Sequence, residues 1–344
     1  MEEEKNVDPV LKSPSPTIYN ISVAIPNWNG EVVLPRCLTS LRRAIDTAGL
    51  DSAVDIVIAD DQSTDCSLEV VRRDFPTVRL IEMAQRSGFG VTANTALANC
   101  ANDYVLLLNN DVYVEDDFFL HWNRHFEDPT MFAVTSWMLR WDRRTVDSGR
   151  RVGVWDKGLI RHWVIHDRGQ AAPSLYACGG ASVFDKSKFL TIGGFDPLYR
   201  PMYTEDFDLS YVAWKRGWKV MYEPRCMVYH HNSYSSSRVF SQRSKYLNDT
   251  KNHYLFIWKN VTDPLLIRRH LAWLPLRVIG APFYGRRMLA AALVPALRQL
   301  NEAILRRREV QCFEKVSDSD IFDLFRPTEY DLAHSPYQGT AGAS

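Results

Sequence analysis

The sequence predicts an α/β protein in which helices flank a mostly parallel sheet. Within residues 21–111, short apolar runs alternate with stretches of helical period four times, and such alternation is typical of βαβ units. Polar turn-forming residues follow three of the apolar runs, at residues 27–30, 60–65 and 109–111. Because ligands bind beyond the carboxyl ends of parallel strands, we expect these three clusters to converge at one edge of the sheet.

The spacing of apolar residues defines each element of this half. Leucines 34, 38 and 41 and Ile45 repeat at helical intervals, and Gly49 ends that helix. The run YVLLL at residues 104–108 is continuous and apolar, as in a strand that is buried on both faces. We predict strands over residues 21–26, 54–59, 78–81 and 104–108, with helices over about 34–45, 68–75 and 91–100.

After Asp111 the alternation is less regular. Residues 139–176 show no clear period, and we interpret them as an insertion or a lobe on the acceptor side. The patterns predict helices over residues 116–128 and 206–216, and strands over 131–138, 181–184, 220–222 and 227–229.

Composition excludes several classes of protein. The 344 residues carry no formal net charge, so no bulk attraction to nucleic acid is expected. The six cysteines form no CxxC pair, and scattered cysteines fit a reducing cytoplasm. The first residues, MEEEKN, are unlike a signal peptide, and we expect residues 1–17 to form a disordered leader. No uninterrupted apolar stretch is long enough for a spanning helix.

The chain becomes basic towards its C-terminus. Residues 251–308 contain eleven Lys or Arg and two acidic residues, a formal charge of +9. Apolar runs lie between the basic residues, which favours amphipathic helices on an anionic membrane surface. The alternative is a helical subdomain packed on the core. We therefore expect a basic helical region over 236–312, cut into short pieces by prolines, a peripheral location at the inner face of the cell membrane, and a poorly ordered tail over 313–344.

Two of the polar clusters contain candidate ligands. Asp111 follows the strand at 104–108, where a carboxylate would suit Mg²⁺ or Mn²⁺; the alternative is that the cluster is only a turn. Asp60 and Asp61 follow the second strand, where a carboxylate would accept hydrogen bonds from a nucleobase or ribose. The alternative there is capping of the following helix. The loop around Gly88 would let a phosphate approach the backbone.

Two further sites lie later in the chain. Glu205 and Asp206 begin a predicted helix, and a carboxylate there is a candidate general base. The alternative is a structural acid at the positive helix end, an environment that lowers a carboxyl pKa. His230, at a predicted strand end, is a candidate metal ligand, although such histidines are often surface features.

The ordered set of motifs resembles glycosyltransferase family 2, and in particular its bacterial rhamnosyltransferase-like branch. The motifs are ISVAIPNWNG, IADDQSTD, RSGFGVTAN, LLLNNDV, GGASVF, GGFD, YTEDFDLSYVAWKRGWKVMYEP and VYHH, spanning about residues 20–235. The resemblance implies a GT-A (Rossmann-like) domain over residues 18–235. It also implies inverting transfer of a sugar from a nucleotide-diphospho-sugar, with Mg²⁺ or Mn²⁺, to a glycan or lipid-linked acceptor in cell-surface polysaccharide synthesis.

The resemblance also assigns roles to individual residues. Asp206, beside Glu205, would be the catalytic base, Asp111 would hold the metal, and His230 would contact the metal or a phosphate. Asn109 stands where many relatives carry Asp, so one metal carboxylate is absent. The donor would be bound by Pro26, Asn27, Asp61, Gly88, Asn94, Asn109, Asn110, Gly180 and Ala181.

Two other functions fit parts of the pattern. A nucleotidyltransferase would need a glycine-rich phosphate loop after the first strand, and NWNGE at residues 27–31 is not one. An inactive sugar-binding or scaffold protein would not need Asp111, Asp206 and His230 together.

Overall fold

The computed structural model describes residues 20–50, 54–231, 241–280 and 287–336. The predicted leader at 1–17 and residues 337–344 lie outside the described residues. The centre is a ten-stranded sheet whose main path runs β10-β12-β6-β11-β4-β1-β2-β3. The four predicted early strands are confirmed as β1 (Ile21–Asn27), β2 (Val54–Asp60), β3 (Arg79–Glu82) and β4 (Tyr104–Leu108). All pairings among these four strands are parallel.

Three helices connect these strands, as predicted. Gly49, in the left-handed conformation with φ 67°, ends the first of them, where the lack of a side chain avoids a steric penalty. Alternate residues of β1 face two apolar cores on opposite sides of the sheet: Ala24 packs in one, and Val23 and Ile25 in the other. The helices are α1 (Leu34–Ala48), α2 (Ser67–Asp74) and α3 (Phe89–Ala98).

The second half completes the sheet with mixed pairing. Strand β11 (Ala181–Asp185) is antiparallel to both β4 and β6 (Met131–Arg140). The two strands predicted over 220–222 and 227–229 form one strand, β12 (Lys219–His230), whose register with β6 shifts between Glu223 and Met227. Strand β5 (Val112–Val114) pairs with the end of β12 and so brings His230 opposite Val112.

The helix predicted over 116–128 is wrong. The chain forms two short 3-10 turns, Phe118–Leu120 and Asn123–Glu127. Phe118, Trp122 and Phe126 repeat every four residues, as the buried residues of an α-helix do. All three rings are buried here without an α-helix.

The stretch without periodicity, residues 139–176, contains short strands. Strands β8 (Arg151–Asp156) and β9 (Leu159–Val164) form a separate hairpin. Two shorter strands, β7 (Val146–Ser148) and β10 (Ala172–Pro173), join the main sheet at β6 and β12.

Helices dominate the C-terminal part, but two of the prolines do not divide them. Pro264 begins one helix, whereas Pro275 and Pro295 lie inside helices; Pro282 lies outside the described residues. The helices are α4 (Lys186–Ile192), α5 (Glu205–Lys215), α6 (Gln242–Asn260), α7 (Pro264–Gly280), α8 (Arg287–Arg298), α9 (Leu300–Phe313), α10 (Asp318–Leu324) and α11 (Glu329–Ala333).

The basic region does not form one surface. In α6, the run Tyr254–Trp258 is buried, and so is Lys259, whose ammonium group pairs with Asp196 and Asp208 at 2.7 and 2.6 Å. Helix α6 is therefore part of the core, contrary to our expectation of a surface helix. Among the described helices, none combines the length and apolar character needed to cross a membrane.

The poorly ordered tail expected over 313–344 is wrong for residues 313–336. These residues include α10 and α11, and Asp318 is fully buried. Its carboxylate accepts a hydrogen bond from Tyr211 Oη at 2.6 Å and pairs with Lys215 Nζ at 2.7 Å. Polar contacts of this kind fix a segment whose composition does not suggest a core.

Candidate active site

The ends of β1, β2 and β4 meet through one side chain, Asn27. Its Nδ2 donates to Asp60 Oδ1 at 2.7 Å, and its Oδ1 accepts from Asn110 Nδ2 at 2.7 Å. Pro26 lies just before it, beyond the part of β1 that pairs with β4. The three polar clusters therefore converge at the sheet edge, as the topology predicts.

Asp61 holds the glycine loop that follows β3. Its two carboxylate oxygens accept hydrogen bonds from the backbone N–H groups of Ser87 at 2.6 Å and Gly88 at 2.9 Å. Gly88 has φ 81° and directly precedes α3, a backbone conformation that glycine adopts without strain. Asp61 thus positions the loop, and its carboxylate oxygens keep lone pairs for a further donor.

Asp111 belongs to a chain of charged groups. Its Oδ1 lies 3.2 Å from His230 Nε2, and His230 Nδ1 lies 2.7 Å from Asp147 Oδ2. Arg140 Nε donates to the other oxygen of Asp147 at 3.2 Å. Burial disfavours the charged imidazole, but the hydrogen bonds that its N–H groups donate to both carboxylates outweigh burial and raise the pKa of His230 to about 10. A carboxylate behind a histidine fixes its ring orientation, as it does in many metal sites.

Two consecutive glycines connect the two halves of the site. The carbonyl oxygen of Gly180 accepts from the backbone N–H of Asn109 at 2.9 Å. The backbone N–H of Gly179 donates to Asp206 Oδ2 at 3.4 Å. The loop that carries Asp111 and the helix that carries Asp206, about ninety-five residues apart in sequence, therefore both contact one dipeptide.

Glu205 and Asp206 begin α5 and influence each other's ionisation. Burial, followed by the charge of Asp206, raises the pKa of Glu205 to about 8. Burial also raises the pKa of Asp206, while the charge of Arg151 and backbone hydrogen bonds oppose that rise. The expected lowering of the carboxyl pKa by the helix end does not dominate, because desolvation is stronger. Burial and the neighbouring carboxylate therefore favour a proton on Glu205 at neutral pH.

Some predicted site residues have structural roles. Both polar atoms of the Asn94 side chain bond the backbone of Phe195, at 2.9 and 2.8 Å, so the structure gives Asn94 the role of holding the GGFD turn. Ala181 is a fully buried residue of β11 opposite Leu108.

Sequence reasoning missed Asp147 and Gly179. Asp147 lies in the stretch without periodicity, where no spacing distinguishes it from other acidic residues. Gly179 directly precedes the predicted Gly180, and its backbone contact with Asp206 has no signature in the sequence.

The residues present fit a hard cation only in part. Among the described residues, no group of three or more His, Cys, Asp and Glu is placed to hold a metal ion. Asp111 offers one ligand, His230 offers a second only when the metal displaces its Nε2 proton, and Asn109 Oδ1 is buried without a hydrogen-bond partner. Two protein ligands and an amide oxygen suit a metal that takes its remaining ligands from a diphosphate.

This sheet order and these strand-end residues define a GT-A glycosyltransferase, and comparisons with known proteins specify the family. The family model described as Glycosyl transferase family 2 matches residues 22–193, half of the chain. The chain therefore belongs to this family and is a glycosyltransferase, which confirms the resemblance seen in its motifs.

Curated relatives make the likeness more specific. The N-acetylglucosaminyl-diphospho-decaprenol L-rhamnosyltransferase of Mycobacterium tuberculosis (strain H37Rv) is 26% identical over 281 residues, which are 71% of this chain and 83% of the relative. The pre-mycofactocin glycosyltransferase of the same strain is 27% identical over 229 residues, 62% of this chain and 43% of that protein.

Solved structures show the same fold at low identity. The mannosyltransferase PcManGT of Pyrobaculum calidifontis, in complex with GDP-Man and Mn²⁺, is 16% identical, with a TM-score of 0.51 and coverage of 88% of each chain. GalNAc-T7 with UDP, GalNAc and Mn²⁺ has a TM-score of 0.57 and 16% identity, over 88% of this chain and 59% of the other.

Proposed function

We propose that this enzyme transfers a sugar, with inversion, from a nucleotide-diphospho-sugar to a hydroxyl group of a glycan or lipid-linked acceptor. The observation that carries the proposal is the Gly179-Gly180 dipeptide, which contacts both the Asn109 loop and Asp206. The diphosphate leaving group would lie on the Asn109 side of this dipeptide and the base, Asp206, on the other. This arrangement suits a single displacement at the sugar carbon between them.

The two carboxyl groups of α5 suit proton transfer. Asp206 would accept the proton of the acceptor hydroxyl group. At the same time the hydroxyl oxygen would form its bond to the anomeric carbon of the donor sugar, and the bond from that carbon to the diphosphate would break. One displacement inverts the carbon and requires no protein nucleophile. Glu205, held protonated by burial and by its neighbour, keeps a second negative charge away from Asp206.

The donor diphosphate would lie between the glycine loop and Asp111. The N–H of Gly88 itself is bonded to Asp61, but the first turn of α3, which begins at Phe89, offers helix N-terminal N–H groups towards a phosphate. Asp111, His230 and the Asn109 amide oxygen would hold Mg²⁺ or Mn²⁺ together with the diphosphate oxygens. The bound metal would supply Lewis-acid stabilisation of the departing diphosphate. Two of the structural neighbours contain Mn²⁺ together with a nucleotide or nucleotide-sugar, which supports this choice.

The acceptor proposal rests on relatives and on one helix face. The name of the mycobacterial rhamnosyltransferase describes a sugar joined through diphosphate to a polyprenol. In α7, exposed residues follow helical spacing in a stripe that contains Leu265, Arg269, Ala272, Leu276 and Ile279. This helix has three arginines and no acidic residue. Apolar and basic residues on one exposed face suit an anionic membrane surface that carries a lipid-linked acceptor.

The first test is a donor screen with a base variant. Nucleotide-sugars would be tested with and without Mn²⁺ for thermal stabilisation and for sugar transfer. The variant Asp206→Asn should retain donor binding and lose transfer by at least about a hundredfold, because general-base catalysis contributes about 10²–10⁴.

The matched control is Asp185→Asn. Asp185 caps α4, and Asn caps helices equally well, so its transfer rate should equal that of the wild type. Near wild-type transfer by Asp206→Asn would contradict the base assignment. A wild-type enzyme that binds nucleotide-sugars but transfers none would contradict the proposed reaction.

A further inference from the structure

The loop Tyr199–Thr204, here called the pre-base loop, is held in a costly conformation just before the proposed base. Tyr203 and Thr204 have φ of 71° and 80°, in the left-handed region that non-glycine residues seldom adopt. Such residues keep this conformation only where the surrounding structure holds them. Thr204 is also the N-cap of α5, and its side chain makes no capping hydrogen bond. The conformation that presents Glu205 and Asp206 therefore needs support from outside the loop.

That support comes from one buried amide in α6. The Nδ2 of Asn252 lies within hydrogen-bond distance of three carbonyl oxygens of the loop: Tyr199 at 2.8 Å, Met202 at 3.0 Å and Tyr203 at 2.7 Å. Asn252 is fully buried. A carboxamide is the smallest side chain that presents two N–H groups at one point, so the match to converging carbonyls is specific.

Two neighbouring residues of α6 also donate to carbonyl groups of the pre-base loop. Lys251 Nζ donates to the carbonyl of Arg200 at 3.0 Å, and Asn248 Nδ2 donates to that of Met202. One face of α6 thus binds four carbonyl groups of the pre-base loop. The loop in turn approaches the proposed donor site, because the Pro201 carbonyl oxygen lies 3.6 Å from the position of a Cβ on Gly88.

We propose that Asn252 is a positioning residue that holds the pre-base loop in its strained conformation and so aligns Asp206 with the acceptor hydroxyl. This inference rests on the proposed function, in which Asp206 is the base. Asn252 makes no contact with the reacting atoms and acts only through the loop. Aspartate cannot replace it, because a carboxylate would face three carbonyl oxygens with no hydrogen to donate.

The test compares Asn252→Asp and Asn252→Ala with a control of similar burial. His270 in α7 is also buried, and its ring bonds the Gly158 carbonyl at 2.7 Å and the Trp258 indole N–H at 3.1 Å, away from the pre-base loop. The Asn252 variants should lower kcat by at least about tenfold, since small misplacement of a reacting group is costly. Their affinity for the donor nucleotide diphosphate should change less than about threefold. His270→Ala should lower the melting temperature without this loss of kcat.

Hydrogen exchange provides a second measurement that does not depend on turnover. The amides of residues 203–208 should exchange faster in the Asn252 variants, while those of β1 and β4 stay protected; His270→Ala should leave 203–208 unchanged. If Asn252→Asp does not fold, Asn248→Ala removes one loop contact and should show the same pattern more weakly.

The outcomes separate this proposal from the proposed function. Variants that lose stability but keep kcat within about twofold, or that leave exchange at 203–208 unchanged, overturn the positioning role. Faster hydrogen exchange confined to residues 203–208 in the Asn252 variants supports the role of Asn252 in holding the loop, whether or not the wild type is active. A wild type that transfers none of the sugars tested counts against the proposed function alone.

Discussion

Glu205 and Asp206 are adjacent, partly buried carboxyl groups, and two negative charges in such a position are costly. The native state favours a proton on Glu205, whose pKa burial and the charge of Asp206 raise to about 8. The unfolded chain would release that proton near the ordinary carboxyl pKa of about 4.3. Between these two pH values the native state binds more protons, so this group's contribution to stability falls as the pH rises.

Glu205→Gln should therefore stabilise the protein at high pH. The amide imitates the protonated acid and cannot ionise, so the gain should be larger at pH 8.5 than at pH 5, by about 2 °C or more in Tm. Thermal denaturation across this pH range measures it. The exposed residue Glu309 in α9 provides the control Glu309→Gln, which should shift Tm equally at both pH values. An equal shift at both pH values for Glu205→Gln would contradict the raised pKa.

Residues at the carboxyl ends of parallel strands could be predicted as site residues, whereas site residues elsewhere could not. Asn27, Asp61 and Asp111 follow apolar runs that only a buried strand explains, so their convergence follows from topology. Asp147, by contrast, reaches His230 from a short strand in a stretch without periodicity. Its role depends on tertiary packing, which neither spacing nor composition encodes.

The helices α6 and α7 show that the number of basic residues in a segment does not decide whether the segment lies on the protein surface. Both are rich in Lys, Arg and apolar residues, yet Lys259 of α6 is buried between Asp196 and Asp208. The partners of that lysine lie 51 and 63 residues away in sequence, so the pattern of α6 alone could not reveal burial. The exposed stripe of α7 remains as the proposed membrane contact, because its leucines and isoleucine have large exposed fractions.

The double variant Leu276→Glu/Ile279→Glu should abolish binding to anionic vesicles. These two side chains are 59% and 69% exposed, so the change removes apolar area and adds negative charge without disturbing the core. Co-sedimentation with vesicles of phosphatidylglycerol, compared with phosphatidylcholine, measures the effect. Truncation after residue 240 would not test this contact, because it would also remove α6 from the core.

The control for charge is Leu120→Glu/Leu190→Glu, at two exposed leucines elsewhere in the structure. The control should sediment with anionic vesicles as the wild type does. Equal binding by both double variants, or no binding by the wild type, would contradict a membrane role for α7.

The C-terminal segment binds the transferase domain at several separate points. The Gly153 backbone N–H in β8 donates to the Phe325 carbonyl at 3.1 Å, and Arg150 pairs with Asp331 in α11. The most buried contact is at Asp318, which pairs with Lys215, the last residue of the helix that begins with Glu205. Residues that follow the family motifs by almost a hundred positions therefore hold the far end of α5, the helix that carries the proposed base.

Asp318→Ala should destabilise the protein far more than other acidic substitutions in α10. The buried carboxylate also accepts the backbone N–H groups of Thr262 and Asp263, both at 2.7 Å. Its removal leaves the fully buried Lys215 with Glu314 as its ion-pair partner. Loss of one partner of a buried ion pair costs about 3–5 kcal/mol, whereas the exposed pair of Asp323 and Arg326 contributes about 0–1 kcal/mol.

Urea unfolding of Asp318→Ala and of the control Asp323→Ala measures this difference in free energy of unfolding. The double variant Lys215→Met/Asp318→Leu should recover part of the loss, because it also removes the buried ammonium group, but not all of it, because the N–H groups of Thr262 and Asp263 still lack their acceptor. Equal stability of the two single variants would show that the tail is not integral to the fold. If Asp318 stabilises α5, Asp318→Ala should also speed hydrogen exchange along residues 209–215 at urea concentrations where the strands of the central sheet remain protected.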